Sequence, residues 1–250
     1  MNEILAALSE QQAELDGLIS PVDDAAWDRP SRCDGWTNSD VMLHLAQTNE
    51  MALASLQHRM RDYLDEMLRG LPPSANVDDA AGAMVDKERG ASPSEIYARW
   101  QTGVDAMTVA FNEIDPHERV TWVAGELSAY TLATTRLSET WIHTNDVAFG
   151  LDAPLSYAPR IEHIARLAWR TLPYAFGRAG RTMQGTVKFE LTAPNGDAWV
   201  FGDGQCETVL RGEARELCEV AGQRAQAADT ELTAEGPDAD DVLELVRTFA

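Results

Sequence analysis

Basic residues are scarce in this chain. Its 250 residues carry 20 Lys and Arg against 41 Asp and Glu, a formal net charge of −21. That balance argues against nucleic acid and anionic membrane surfaces as partners, because both are bound through basic patches. Cysteine is scarce too. Cys33, Cys206 and Cys218 are an odd number at unrelated spacings, so neither a disulfide framework nor a cysteine-based zinc motif follows. No apolar run approaches the roughly 18 residues of a membrane span. The start, Met1-Asn2-Glu3-Ile4-Leu5, opens an amphipathic helix and not a basic, apolar signal peptide. Glycine-rich phosphate loops are missing, because Gly177 to Gly180 and Gly202 to Gly204 lack the strand-turn-helix context. There is no G-x-S-x-G element, no internal repeat and no low-complexity segment. What remains is a cytoplasmic protein that can bury a core without staples, in one large domain or two small ones. Its expected partner is a small-molecule substrate, and assembly as a homo-oligomer stays open.

Against these absences one stretch stands out, Ser138-Glu139-Thr140-Trp141-Ile142-His143-Thr144-Asn145-Asp146. As a helix it places Glu139, His143 and Asp146 on one face. Its other face carries Tyr130, Leu137, Trp141 and Ala148. A helix apolar on both sides belongs inside a bundle. A carboxylate and an imidazole turned inward there need a compensating partner. A divalent metal is the simplest one. A buried Glu-His ion pair without metal is the alternative, and the spacing alone does not separate them.

A further histidine lies near the N-terminus. Thr37 reads as a helix N-cap with Asp40 as its capping-box partner, which puts His44 about two turns into the helix. The apolar stripe of that helix runs through Val41, Leu45, Ala52, Leu56, Tyr63 and Met67. His44 sits on its shoulder, a position suited to a cleft wall. A partly exposed histidine that binds nothing is the plain alternative.

The run W-x-x-P-S-x-C-x-G-W-T-x-x-D-V-x-x-H-L is present as Trp27 through Leu45, and E-x-W-x-H-x-x-D-V as Glu139 through Val147. Their order and separation resemble the metal-binding DinB-like superfamily, and within it the mycothiol-dependent maleylpyruvate isomerase group. The resemblance implies a divalent metal, zinc in most members, held by His44, Glu139 and His143. It also implies mycothiol as a second cofactor. It is weak for the exact reaction, since the superfamily holds isomerases, thiol transferases and members of unknown activity.

The chain pattern agrees with an α+β protein in two domains, residues 1–154 and 155–250. Four long helices are expected over about 2 to 19, 38 to 69, 93 to 115 and 126 to 150, as an N-terminal four-helix bundle. The second and fourth would face each other. Residues 74 to 91 read as a loop or short helix. Beyond Pro154 comes a helix over 159 to 176, then strands at 186–192 and 198–201 around the Asn195-Gly196 turn. Shorter strands are expected at 207–210 and 231–234, each followed by a helix. This small α+β domain resembles the sterol-carrier-protein-like domain of the same group.

Around the expected metal, Asp40 could orient His44 or serve only as a cap. Asp146 could be an acid facing the substrate or an ordinary helix-end carboxylate. Cys33 could reach the site as a ligand, but it precedes a Gly-Trp turn and reads as packing. His58 shares the His44 face, yet fourteen residues of continuous helix would carry it roughly 21 Å away. Arg211 is the nearest candidate for a substrate-binding base in the second domain. Three functions follow. By resemblance the chain is a metal-dependent isomerase or transferase that uses a small thiol. The metal could instead activate water for hydrolysis, with Asp146 or Asp40 as base. It could also anchor a ligand in a protein with no turnover.

Overall fold

The computed structural model describes residues 1–155 and 157–248. The chain forms two compact units, Met1–Leu155 and Ser156–Ala250. The protein has the expected mixed class: a helical N-terminal region and a small C-terminal sheet domain. Among the described residues no helix is long and apolar enough to cross a membrane.

The first unit is built on four long helices: α1 (Asn2–Ile19), α3 (Asn38–Leu56), α6 (Pro93–Glu113) and α7 (Ala129–Leu151). Three short ones, α2 (Asp24–Trp27), α4 (Met60–Met67) and α5 (Val77–Glu88), fill the connections. Helix α7 packs on α1 and α3, and α3 packs on α6. Leu15, Val41, Leu45, Trp100 and Val147 belong to one buried cluster between these helices. Full burial of such side chains contributes about 1.5–3 kcal/mol each. Local sequence sets the helix starts. Thr37 and Asp40 form the expected capping box on α3, and Ser92 and Glu95 form one on α6 with Pro93 at its first position. Ser128 caps α7 by accepting from the Thr131 amide.

Two of the expected boundaries move. The helix from 38 does not run to 69. His58 takes φ 55°, and the Arg59 amide reaches back to the Ala54 carbonyl at 2.7 Å. This is a left-handed C-terminal cap made without glycine, so the usual stop signal is missing from the sequence. Residues 125–128 are not helical either. They pair as β2 (Gly125–Ser128) with β1 (Arg119–Trp122) in an antiparallel hairpin that inserts Val120 and Trp122. Gly125, at φ 112°, starts the returning strand.

The second unit carries α8 (Glu162–Arg178), β3 (Val187–Thr192), β4 (Ala198–Phe201), β5 (Thr208–Glu213), α9 (Ala214–Ala221), β6 (Thr233–Glu235) and α10 (Ala239–Leu245). Its sheet order is β4-β3-β5-β6, with β3 and β5 parallel and the other pairs antiparallel. Val187, Phe189, Leu191, Phe201 and Leu210 are buried. Period-two alternation on β3 leaves Lys188 and Glu190 on the opposite face.

Candidate metal centre

Helix α7 is buried over nearly its whole length. Its i,i+4 spacing stacks Glu139 and His143 on one face, and α3 brings His44 against them. His44 Nε2 lies 2.8 Å from Glu139 Oε1, and His143 Nε2 lies 3.5 Å from the same oxygen. The three side chains are at most 10% exposed. The two imidazoles meet edge to face at 4.9 Å between centroids. Trp36, partly buried on the loop before α3, stands 5.3 Å from the His44 ring as a wall.

The donor set is two imidazole nitrogens and one carboxylate oxygen, all within 4.8 Å of one another. Tetrahedral bonds of about 2.1 Å to an ion need donors about 3.4 Å apart. The spacings of 2.8 and 3.5 Å bracket that value, so the residues fit a divalent ion. Two nitrogens with one oxygen is also a donor set that suits zinc.

The imidazole of His143 is held from behind. With Nε2 turned to Glu139, Nδ1 donates to Asp146 Oδ2 at 2.9 Å. Asp146 is fully buried, and its Oδ2 also accepts from the Cys33 thiol at 3.0 Å. Cys33 therefore does more than pack. It sits 3.9 Å from Nδ1, on the ring edge that faces away from Glu139. Sequence gave little warning of this contact, because 110 residues separate the partners.

The electrostatics of the metal-free cluster follow from burial and contact. Burial alone would raise the Glu139 carboxyl, but hydrogen bonds to His143 and His44 hold it well below the carboxylate range. Burial alone would lower His143, yet Asp146, Cys33 and Glu139 raise it well above an ordinary histidine. His44 goes the other way: burial pushes it down despite Glu139. Contact within the cluster therefore favours the carboxylate of Glu139 and the protonated form of His143, while burial favours the neutral form of His44.

Other candidate residues have partners of their own. Asp40 is not on His44. Its Oδ2 accepts from Thr37 and its Oδ1 from Arg89 Nε at 2.8 Å. Replacing Asp40 by alanine should therefore cost about 1–2 kcal/mol of stability in urea unfolding, the range of a lost cap. Bound metal should not change. An Asp40→Ala protein of intact stability with an emptied centre would contradict this assignment. Arg211, on β5, is ion-paired to Glu190 at 2.9 Å and Glu235 at 3.2 Å. His58, beyond the end of α3, contacts Glu118 at 2.7 Å.

Residues 8–148 match the family model of the mycothiol maleylpyruvate isomerase N-terminal domain. The chain belongs to this family. The matched stretch contains His44, Glu139, His143 and Asp146. Two relatives, uncharacterized proteins from two strains of Mycobacterium tuberculosis, are each 28% identical over 247 residues, 98% of this chain and 95% of theirs. Two crystal structures of the mycothiol-dependent maleylpyruvate isomerase, one a point mutant, share the fold. They superpose with TM-scores of 0.63 at 21–22% identity, over 95% of both chains.

Proposed function

We propose that this chain is a metal-dependent enzyme that uses a small thiol, mycothiol or a close relative, to isomerise or modify a small organic substrate. His44, Glu139 and His143 are the proposed ligands and zinc the proposed ion, within a metal-binding bundle of residues 1–154. The observation that carries the reading is the convergence of both Nε2 atoms on one Glu139 oxygen while Asp146 holds Nδ1 of His143. Three protein ligands leave a coordination position open. A bound divalent ion would favour the thiolate form of a thiol and polarise a substrate oxygen.

The remaining work falls to the chain. His44 and His143 offer Nε2 as neutral donors, and Asp146 keeps the proton of His143 on Nδ1. Trp36 walls the cluster on the His44 side. The isomerisation would then proceed by addition of the thiolate to an activated double bond, rotation about the resulting single bond, and elimination of the thiolate. A hydrolytic reading needs a carboxylate base at the cluster. Asp40 is committed to Thr37 and Arg89, and Asp146 to His143 and Cys33, so the thiol reading is preferred.

Cobalt-substituted protein tests this. Addition of mycothiol should produce a sulfur-to-metal charge-transfer band, and His143→Ala should abolish it. An unchanged spectrum at saturating thiol, together with thiol-independent turnover, would transfer the assignment to hydrolysis.

A further inference from the structure

Arg136 is a large, fully buried side chain of the bundle, 1% exposed. It lies on α7 one turn before Glu139. Among the described residues its guanidinium hydrogen-bonds only neutral oxygens, and the Glu139 charge acts on it from one turn away. Nη2 donates to Thr48 Oγ1 at 3.0 Å and to Asn49 Oδ1 at 3.1 Å. Among the described residues Nε has no hydrogen-bond partner. Among the described residues no carboxylate pairs with it. Thr48 in turn donates to the His44 carbonyl at 3.0 Å, so Arg136 is tied to the helix turn that carries a proposed ligand. The contacts His44 to Glu139 and Thr48 to Arg136 climb α3 while descending α7, so the two helices are antiparallel here. The guanidinium therefore lies about one turn, roughly 6 Å along the axis, from the metal centre.

Burying a guanidinium without a counter-carboxylate is destabilising, and an apolar side chain of similar size would avoid the penalty. The arrangement makes sense if the missing negative charge arrives with a ligand. Charge bookkeeping at the centre points the same way. A divalent ion is already matched by the carboxylates of Glu139 and Asp146. Arg136 leaves the loaded centre one charge positive. A neutral ligand would leave that charge unmatched, and an anion would cancel it.

We propose that Arg136 makes the centre anion-selecting, so that the open coordination position takes a thiolate or carboxylate in preference to a neutral ligand. The inference rests on the metal-site reading above and adds the charge class of the ligand. Arg136 acts here as a positioning charge and not as a ligand or proton carrier.

Two probes on cobalt-loaded protein separate the readings: azide, an anion, and imidazole, a neutral donor. Arg136→Gln keeps an amide donor on a shorter side chain but has no charge, and Arg136→Lys keeps the charge. Spectral titration should show azide binding roughly tenfold or more weaker in Arg136→Gln and within about threefold of wild type in Arg136→Lys. Imidazole should bind all three proteins within about twofold. If Arg136→Gln loses its helical circular dichroism, Arg136→Met supplies the neutral side chain. Equal azide affinity in the charged and neutral proteins overturns the inference. Parallel weakening of azide and imidazole overturns it as well, since it marks a purely structural role. Elemental analysis guards the premise. A wild-type chain that takes up no cobalt overturns the metal site and this inference together, whereas a loaded chain without anion preference overturns this inference alone.

Discussion

Alanine at His44, Glu139 or His143 should empty the centre. Wild-type protein should purify with about one divalent ion per chain, and each variant should fall to a small fraction of that by elemental analysis. The expectation follows from ligand number. Three side chains hold the proposed ion, so each replacement leaves two. Loss of a hydrogen-bonded neighbour of a ligand already costs about 10–100-fold in affinity, and loss of a ligand itself should exceed that. Turnover should fall below about 1% of wild type in all three, because no thiol can then be held.

The ion-pair alternative predicts something different. Under it, Glu139→Ala would strand a buried imidazolium and cost about 3–5 kcal/mol, with no metal involved at any stage. A chelator distinguishes the two. If the centre binds metal, removing the ion should lower the melting temperature of wild type, since a ligand at about 1,000 times its Kd stabilises by about 4 kcal/mol. The alanine variants should not respond. Full metal content in all three variants would remove the assignment.

Much of the framework was legible in the sequence because it is written in local signals. The Thr37–Asp40 and Ser92–Glu95 boxes each lie within four residues, and both helices start where those boxes place them. Glu139 and His143 share a turn, so their common face follows from helix geometry. The break at His58 was not legible. A left-handed cap on histidine is held by the Arg59 to Ala54 bond, and sequence patterning carries no mark of it. The β1–β2 hairpin escaped for a related reason. Four-residue strands offer only two alternations, and β2 runs directly into the apolar pattern of α7. Contacts across the fold were the least visible. Cys33 meets Asp146 only because the loop before α3 lies on α7, where the Arg32 amide donates to the Asp146 carbonyl at 3.2 Å. Gly150 marks that approach, since a Cβ there would lie 2.4 Å from Asn38 Oδ1. Arg136 did leave a trace: a cation three residues before Glu139, on a helix apolar on both sides.

Asp146→Asn should weaken metal binding by about 10–100-fold while leaving the fold intact. The carboxylate is fully buried, and its Oδ2 fixes which nitrogen of His143 carries the proton. Asparagine is close in size, so packing is preserved. It removes the negative charge that makes Nε2 a better donor, and its amide can present N–H to Nδ1 where an acceptor is required. Competition against a chromophoric chelator measures the affinity directly. The same variant separates a positioning role from a catalytic one. If Asp146 acts only through His143, saturating metal should restore most of the turnover, because the loaded site then has its three ligands back. If Asp146 were itself an acid or base facing the substrate, turnover would stay low however much metal is supplied. Cys33→Ala provides the calibration. It removes a single neutral donor from the same Oδ2 atom, and the charge stays in place. Its effect on affinity should therefore be only a few-fold, the range of about 0.5–1.5 kcal/mol for one such bond. Unchanged metal affinity in Asp146→Asn would show that the contact to His143 does not tune the centre.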